Sequence, residues 1–192
     1  MNTQPSLATF PGLCFSGQKS EMSMPPASLT FVHDGRDCSL FLGTARDAAD
    51  IRHVRHVVNA TECVPNHFEG AKVSYLRVAV PDSGECDLDR HVGAFFEFMQ
   101  DAASKGEPVL VHCRSGRSRS ATLVLAWAVA RCGYTLADAW AKLTRERECV
   151  NPNEGFRRWL VALEEQCYGR VSVGWFDRST RGARGRKRRK LC

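Results

Sequence analysis

Residues 108–132 constrain the fold of this chain more than any other part of its sequence. Residues 108–112 (PVLVH) form the short, largely apolar run that is typical of a strand buried on both faces. Residues 118–132 have the length and the apolar content of a buried helix. A strand, a tight loop and a helix in direct succession favour an α/β fold, in which such a loop lies at the carboxyl edge of the sheet.

The other segments alternate between the two patterns. Short apolar or β-branched runs bounded by turn residues predict further strands at residues 39–42, 54–60 and 73–80. Apolar spacing and capping residues predict helices at residues 45–52, 88–104, 135–147 (capped by Thr135) and 153–168 (capped by Asn151 or Asn153). We therefore expect a three-layer α/β domain, with a central, mostly parallel sheet of about five strands flanked by helices.

Composition sets the outer limits of that domain. The chain has 192 residues, of which 43% are hydrophobic, so it suits one ordinary domain and excludes collagen-like and fully disordered proteins. Residues 1–36 mix Pro, Ser, Gly and Met without a hydrophobic period and predict a flexible leader. The folded domain is expected at residues 37–168, followed by a basic, disordered tail at residues 169–192.

The positive charge of the chain is concentrated in that tail. Residues 170–192 contain nine of the 27 Lys and Arg residues and one of the 21 Asp and Glu residues, so the rest of the chain is close to neutral. The net charge of +6 therefore does not indicate a basic nucleic-acid-binding domain. Three roles stay open for the tail. It is a solvated run of charge, a signal for nuclear import machinery, or a segment that binds acidic lipid or RNA.

The cysteines indicate a reducing compartment. There are nine, an odd number, and no two have the CxxC spacing of a zinc site or a redox motif. The first residues lack the basic and apolar regions of a secretory signal, and the longest apolar run, residues 121–130, is too short for a transmembrane helix. We expect a protein of the cytoplasm, the nucleus or both, with no metal site and no transmembrane segment.

The loop that follows residues 108–112 has the composition of an anion-binding site. From His112 to Ser120 it reads HCRSGRSRS. The N-terminus of the following helix adds its positive dipole end, which also lowers the pKa of the Cys113 thiol and makes a nucleophilic thiolate available near neutral pH. The backbone N–H groups that can converge on a tetrahedral phosphate are those of Arg114, Ser115, Gly116, Arg117, Ser118 and Arg119.

Individual side chains in the loop fit the same chemistry. Gly116 permits backbone dihedral angles and a close approach that a residue with a Cβ atom resists. The planar guanidinium of Arg119 can hold two phosphoryl oxygens at once. The hydroxyl of Ser120 is placed to donate a hydrogen bond to the sulfur of Cys113. We expect His112 to be a packed residue that orients the loop rather than a general base.

These residues resemble the HCxxGxxRS loop and following helix of the cysteine-based dual-specificity phosphatases, within the protein tyrosine phosphatase superfamily. Residues 40–43 (LFLG), 57–60 (VVNA) and 151–156 (NPNEGF) resemble two strands and a helix start of the same family. The similarity covers residues 37–168. It resembles most the small, atypical members of the family, in which no long amino-terminal kinase-docking domain is expected. It implies the protein tyrosine phosphatase-like fold.

The resemblance also implies a general acid on a loop ahead of the helix at residues 88–104. Asp82, in the sequence PDSGECDL, fits that position, whereas Asp87 and Asp89 are interpreted as charges at a helix N-terminus. The implied reaction passes through a cysteinyl-phosphate and needs neither metal nor cofactor. The implied substrates are proteins carrying phosphotyrosine, phosphoserine or phosphothreonine, with a protein kinase among the candidate partners.

Several alternatives stay open. A pseudophosphatase would bind phosphoproteins through the same loop without turnover, although such proteins usually lack the nucleophile or the acid. The basic side chains of Arg114 and Arg117 favour highly anionic substrates such as phosphoinositides or RNA 5′ phosphates, but the loop lacks the Thr-Gly ending common in those phosphatases. Cys63 or Cys38 is a candidate disulfide partner for Cys113 under oxidising conditions. For each of the two, a buried cysteine without a redox role is the simpler interpretation.

Overall fold

The computed structural model describes residues 26–33, 35–51 and 54–175, and its centre is a five-stranded sheet. β1 is antiparallel to β2, and all other neighbouring strands are parallel, with the order β1-β2-β5-β3-β4 across the sheet. The predicted mostly parallel sheet is thus confirmed. In chain order the strands are β1 (Ala27–His33), β2 (Arg36–Gly43), β3 (His56–Asn59), β4 (Ser74–Arg77) and β5 (Val109–His112).

Helices cover one face of this sheet and a thinner layer covers the other. On the first face, α2 lies at the centre of the main core and is buried from Ser120 to Val129, which explains why its sequence shows no polar side. In the described part of the chain, no helix has the length and apolar character needed to span a membrane. The helices are α1 (Asp89–Lys105), α2 (Arg119–Cys132), α3 (Leu136–Glu146) and α4 (Glu154–Tyr168).

The second face of the sheet, with Val57 and Leu110, packs against a short 3-10 helix and loop residues such as Phe68. The longer helix predicted at residues 45–52 is wrong, because only Asp47–Ala49 is helical. The Asp47 carboxylate accepts hydrogen bonds from both the amide and the hydroxyl of Thr44, at 2.6 and 2.8 Å, which favours a tight local turn over a longer helix. The three layers confirm the predicted fold class.

The register of the strands brings three loops to one edge of the sheet. Gly43 at the end of β2 and Asn59 at the end of β3 both pair with His112 at the end of β5. The loops that follow are joined by hydrogen bonds from the amide of Ala45 to the carbonyl of Arg114 (3.2 Å) and from Ala60 to His112 (2.8 Å). Ligands of parallel α/β sheets bind at this edge.

The flexible leader predicted at residues 1–36 is wrong for its last part, which forms β1. That strand pairs with β2 along its whole length and buries Leu29 and Phe31 in the main core, while Thr30 between them is exposed. Alternation of this kind is the pattern of an edge strand with one buried face. Residues 1–25 lie outside the described residues, so the leader there stays a prediction.

The disordered tail predicted at residues 169–192 is wrong at its beginning. Residues 169–175, here called the C-terminal strap, lie against α3 and α4. Ser172 hydrogen-bonds to Glu164 of α4, and the ring of Trp175 meets the ring of Trp140 in α3 edge to face, with centroids 4.7 Å apart. Residues 176–192 lie outside the described residues, so their disorder stays a prediction.

We expect the substitution Phe31→Ala to destabilise the protein by about 3–5 kcal/mol, because it removes a fully buried ring from a packed core. That ring also meets Tyr134 edge to face at 5.3 Å. Chemical denaturation of the purified variants measures the effect. The control is Thr30→Ala, whose side chain is exposed and whose loss we expect to change the free energy of unfolding by less than about 1 kcal/mol. Equal effects of the two substitutions would contradict the buried position of β1.

Candidate active site

Cys113 follows β5 directly and lies beneath the loop that leads into α2. Its side chain is 1% exposed, and its Sγ accepts hydrogen bonds from the Gly116 amide (3.3 Å) and the Ser120 hydroxyl (3.2 Å). Burial alone raises the pKa of this thiol. The hydroxyl of Ser120 and the backbone amides of Ser120, Ser115 and Gly116 outweigh burial, so the pKa of Cys113 lies below its ordinary value. The loop is thus built to stabilise a thiolate.

The curvature of this loop depends on Gly116. Its φ is +67°, in the left-handed region, and a Cβ atom there would lie 2.8 Å from the carbonyl oxygen of Gly43. Glycine therefore allows the loop to turn back on Cys113 while it closes against the end of β2.

A buried arginine that the sequence analysis did not predict holds the loop from behind. Arg147, directly after α3, donates hydrogen bonds from Nε to the carbonyl of Gly116 (3.2 Å) and from its terminal nitrogen to that of Ser115 (3.4 Å). The C=O and N–H of one peptide unit point in opposite directions, so binding the Ser115 carbonyl turns the Gly116 amide toward Cys113. The charged run at residues 145–148 contains no signal that this residue is buried.

Asp82 lies beside this loop, at its exposed mouth. Its Oδ1 accepts hydrogen bonds from the Ser118 hydroxyl (2.7 Å) and from the side-chain amide of Asn153 (3.0 Å). Its Oδ2 faces Arg119, with Nε 3.7 Å away, which is an ion pair beyond hydrogen-bond distance. One carboxylate oxygen is therefore fixed in place, and the other is left to exchange a proton with a ligand.

The guanidinium of Arg119 retains donors for a ligand. Its side chain is 13% exposed, and one terminal nitrogen makes a long hydrogen bond to the carbonyl of Val80 (3.4 Å). Its Nε is buried and has no hydrogen-bond partner in the described part of the chain. A buried donor without a partner is unfavourable, and an anion bound in the loop relieves that deficit.

The acid loop, residues 81–86, packs tightly against the start of α4. Asn153 caps this helix by accepting a hydrogen bond from the Phe156 amide (2.9 Å) while its amide group holds Asp82. A Cβ atom on Gly155 would lie 2.1 Å from the carbonyl oxygen of Gly84, so the two backbones meet where no side chain fits. The sequence analysis predicted a cap at Asn151 or Asn153 but not this contact.

The other residues singled out in the sequence have more peripheral positions. Arg114 and Arg117 expose their side chains at the rim, and Nε of Arg117 donates to the carbonyl of Cys149 (3.1 Å). His112 is fully buried, and burial lowers its pKa to about 4, which makes it a weak base and agrees with the predicted packed residue. Asp89 begins α1 and accepts a hydrogen bond from Trp159 (2.8 Å), away from the loop.

The register of the sheet excludes Cys38 as a disulfide partner of Cys113. Leu40 pairs with Val109 in the parallel strands, so Cys38 lies about 20 Å along the strand direction from Cys113 at 3.3 Å per residue. A disulfide requires the two Cα atoms to lie within about 7 Å. Cys63 is exposed on the loop after β3, at the same edge as Cys113, and stays a candidate.

Comparison with known proteins identifies the family. Residues 40–166 match the model of the dual specificity phosphatase catalytic domain. The human protein named dual specificity protein phosphatase 22 is 34% identical over 131 residues, which are 66% of this chain and 70% of that protein. The Arabidopsis thaliana protein named dual specificity protein phosphatase PHS1 is 36% identical over 114 residues, which are 59% of this chain and 12% of that protein.

A solved structure agrees with these similarities. The crystal structure of human DUSP28 superposes with a TM-score of 0.65 at 32% identity, covering 75% of this chain and 97% of that one. The chain therefore belongs to the dual specificity phosphatase catalytic-domain family, of the cysteine-based protein tyrosine phosphatases. It spans only a small part of some curated relatives, 12% in the case of PHS1.

We expect Ser120→Ala to slow the alkylation of Cys113 by iodoacetate at pH 6–7. The Ser120 hydroxyl is one of the donors that lower the pKa of the Cys113 thiol, so its removal raises that pKa. At pH 6–7 a smaller fraction of Cys113 is then present as the reactive thiolate. Peptide mapping by mass spectrometry follows Cys113 apart from the other cysteines. At pH values above the Cys113 pKa of both proteins, the alkylation rates of the wild type and the variant should converge. A difference in rate that does not depend on pH would contradict this role for Ser120.

We expect Gly155→Ala to move the acid loop, because the added methyl group occupies the position of the Gly84 carbonyl. If Asp82 protonates the leaving group, the loss is largest for aryl phosphates with poor leaving groups, on the order of tenfold or more, and small for good ones. The measurement is kcat/KM across an aryl phosphate series. Gly93→Ala in α1, where a Cβ atom meets nothing within 4 Å, is the matched control. A uniform loss across the series would contradict the assignment of Asp82.

Proposed function

We propose that this protein hydrolyses phosphate monoesters of tyrosine, serine and threonine in proteins, by a two-step reaction at Cys113. The observation that carries the proposal is the buried sulfur held by the Gly116 amide and the Ser120 hydroxyl, beneath a mouth where Asp82 faces Arg119. A nucleophile, an anion cradle and a proton-exchanging carboxyl group at one site are the requirements of this reaction.

In the first step the Cys113 thiolate attacks phosphorus, and the bond from phosphorus to the substrate oxygen breaks. Asp82 donates a proton from Oδ2 to that leaving oxygen, so the protein product departs as an alcohol or phenol. The loop amides and the donors of Arg119 hold the three remaining phosphoryl oxygens through the transition state.

In the second step the Asp82 carboxylate accepts a proton from water while the water oxygen attacks phosphorus. The bond from sulfur to phosphorus breaks, inorganic phosphate leaves, and the thiolate is regenerated. The Ser120 hydroxyl, 3.2 Å from Sγ, donates its hydrogen bond to this departing sulfur. No oxidant, reductant or metal takes part in either step.

We propose phosphorylated proteins as partners and the cytoplasm or the nucleus as the location. Phosphorylated proteins are the partners that the family relationship supports, and a protein kinase among them is part of our proposal. The cysteines of the described residues are all free thiols, which supports a reducing compartment, the cytoplasm or the nucleus. Fluorescence microscopy of the tagged full chain, with and without residues 176–192, tests the location and any contribution of the basic segment to nuclear import.

Hydrolysis of a fluorogenic aryl phosphate, in EDTA and reductant, tests the activity. We expect turnover by the wild type, its abolition in Cys113→Ser, and a loss on the order of 100-fold or more in kcat for Asp82→Ala. Asp89→Ala, which changes a carboxylate at the start of α1, is the matched control for Asp82→Ala.

No turnover by the reduced wild type on aryl phosphate or on phosphopeptides would overturn the proposal in favour of a phosphoprotein-binding module. Turnover confined to phosphoinositides or to RNA 5′ phosphates would overturn the choice of protein substrates.

A further inference from the structure

The C-terminal strap, residues 169–175, braces the two helices that lead to the active site. It follows the match to the family model, which ends at residue 166. The hydroxyl of Ser172 accepts a hydrogen bond from the amide of Ala137 in the first turn of α3 (2.9 Å), and the amide of Ser172 donates to Glu164 of α4 (2.9 Å). The strap therefore joins the start of α3 to the later turns of α4.

The end of the strap holds the side chain of Arg157 in α4. The ring of Trp175 meets the ring of Trp140 in α3 edge to face, with centroids 4.7 Å apart. The guanidinium of Arg157 lies over both rings, 5.5 Å from the centroid of Trp175 and 5.8 Å from that of Trp140. Because a guanidinium is attracted to the faces of aromatic rings, the two indoles fix the direction in which this side chain extends.

Arg157 in turn holds the segment between α3 and α4. Its Nε donates a hydrogen bond to the carbonyl of Pro152 (3.0 Å), and a terminal nitrogen donates to the side-chain oxygen of Asn151. The amide of Asn151 donates to the carbonyl of Arg117 in the phosphate-binding loop (2.8 Å). The segment has no regular secondary structure, so contacts of this kind determine its shape.

Asn153, the next residue, transmits the position of this segment to the acid. Its side-chain amide donates to Oδ1 of Asp82 (3.0 Å), and its backbone amide donates to the hydroxyl of Ser118 (3.3 Å). That hydroxyl donates to the same oxygen of Asp82 (2.7 Å). The loop around Cys113 is also held by Arg147, so a shift of the segment disturbs the acid more than the nucleophile.

We infer that Trp175 is a positioning residue for Asp82 and that it acts through Arg157. The indole holds the guanidinium, the guanidinium fixes residues 151–152, and these residues determine where Asn153 presents its amide to the acid. The inference rests on the proposed function, and it adds to the proton-transfer machinery a residue that lies beyond the match to the family model.

The substitution Trp175→Ala in the full chain tests this inference with two aryl phosphates. A poor leaving group, as in phenyl phosphate, needs the proton from Asp82, whereas a fluorinated phenol of low pKa leaves without much help. We expect kcat/KM to fall about fivefold for the first substrate and less than about twofold for the second. Trp175→Phe keeps an aromatic face for the guanidinium and should restore the wild-type ratio to within about twofold.

Tyr134→Ala is the matched control. It removes another half-buried aromatic ring, which packs on Phe31 of β1 rather than on Arg157. We expect it to preserve the ratio of the two kcat/KM values. An equal loss for both substrates in Trp175→Ala, or the same change of ratio in Tyr134→Ala, would count against the inference.

A double-mutant cycle shows whether the effect passes through the acid. In the Asp82→Ala background there is no acid left to position, so Trp175→Ala should cause no further loss of kcat/KM for phenyl phosphate. A further loss as large as in the wild-type background would mean that the strap acts by another route, and the inference would be wrong.

Hydrogen–deuterium exchange of the same proteins needs no turnover and separates this inference from the proposed catalysis. Trp175→Ala should speed exchange at residues 151–156 and in the acid loop, residues 81–86, relative to the wild type and to Tyr134→Ala. Unchanged exchange at these residues would overturn the inference whatever the activity. Faster exchange together with absent wild-type turnover would support the anchoring by the strap and contradict the proposed catalysis alone.

Discussion

A thiolate buried in the centre of a protein is stable only if hydrogen-bond donors replace the water it has lost, and the active-site end of this molecule is built around that requirement. Cys113 is 1% exposed, and the donors that reach its sulfur come from a loop closed between β5 and α2. The loop has that shape because Gly116 turns through a positive φ and because Arg147 binds the outward-facing carbonyls. Gly116 and Arg147 together thus set the loop geometry in which these donors lower the pKa of the thiol.

A second requirement is that the carboxyl group of Asp82 keep a fixed position relative to the sulfur of Cys113, although the two residues come from different parts of the chain. One hydroxyl joins the parts: Ser118 donates to Asp82 and accepts from the amide of Asn153, at 2.7 and 3.3 Å. The starts of α2 and α4 and the acid loop therefore meet at one side chain. Gly155 lets the loop approach closely enough for these bonds to form.

The sequence predicted the parts of this arrangement that depend on local patterns. The strands after residue 39, the helices α1 to α4, the cap at Thr135, and a nucleophilic cysteine in a basic loop follow from apolar periodicity and from residue types at short spacing. Contacts between distant segments have no such pattern. Nothing near Arg147 indicates that it is buried, and the contact of Gly155 with Gly84 depends on how two loops meet in space.

Two predictions are wrong where composition outweighs a weaker periodic signal. Leu29 and Phe31 alternate with polar residues, as an edge strand requires, but the proline-rich residues before them suggested a leader. The strap falls in the predicted tail because the high charge of residues 170–192 conceals Ser172 and Trp175, which are uncharged and packed. In both cases a short segment gains its order from a partner elsewhere in the chain rather than from its own sequence.

These contacts give α4 a role at both of its ends. Its first turn holds Asp82 through Asn153, and its last turns hold the strap through Glu164. The positive charge that recognises anions at this end of the molecule comes from the loop itself, through Arg114, Arg117 and Arg119. The site therefore concentrates anions at this edge without a basic surface over the whole domain.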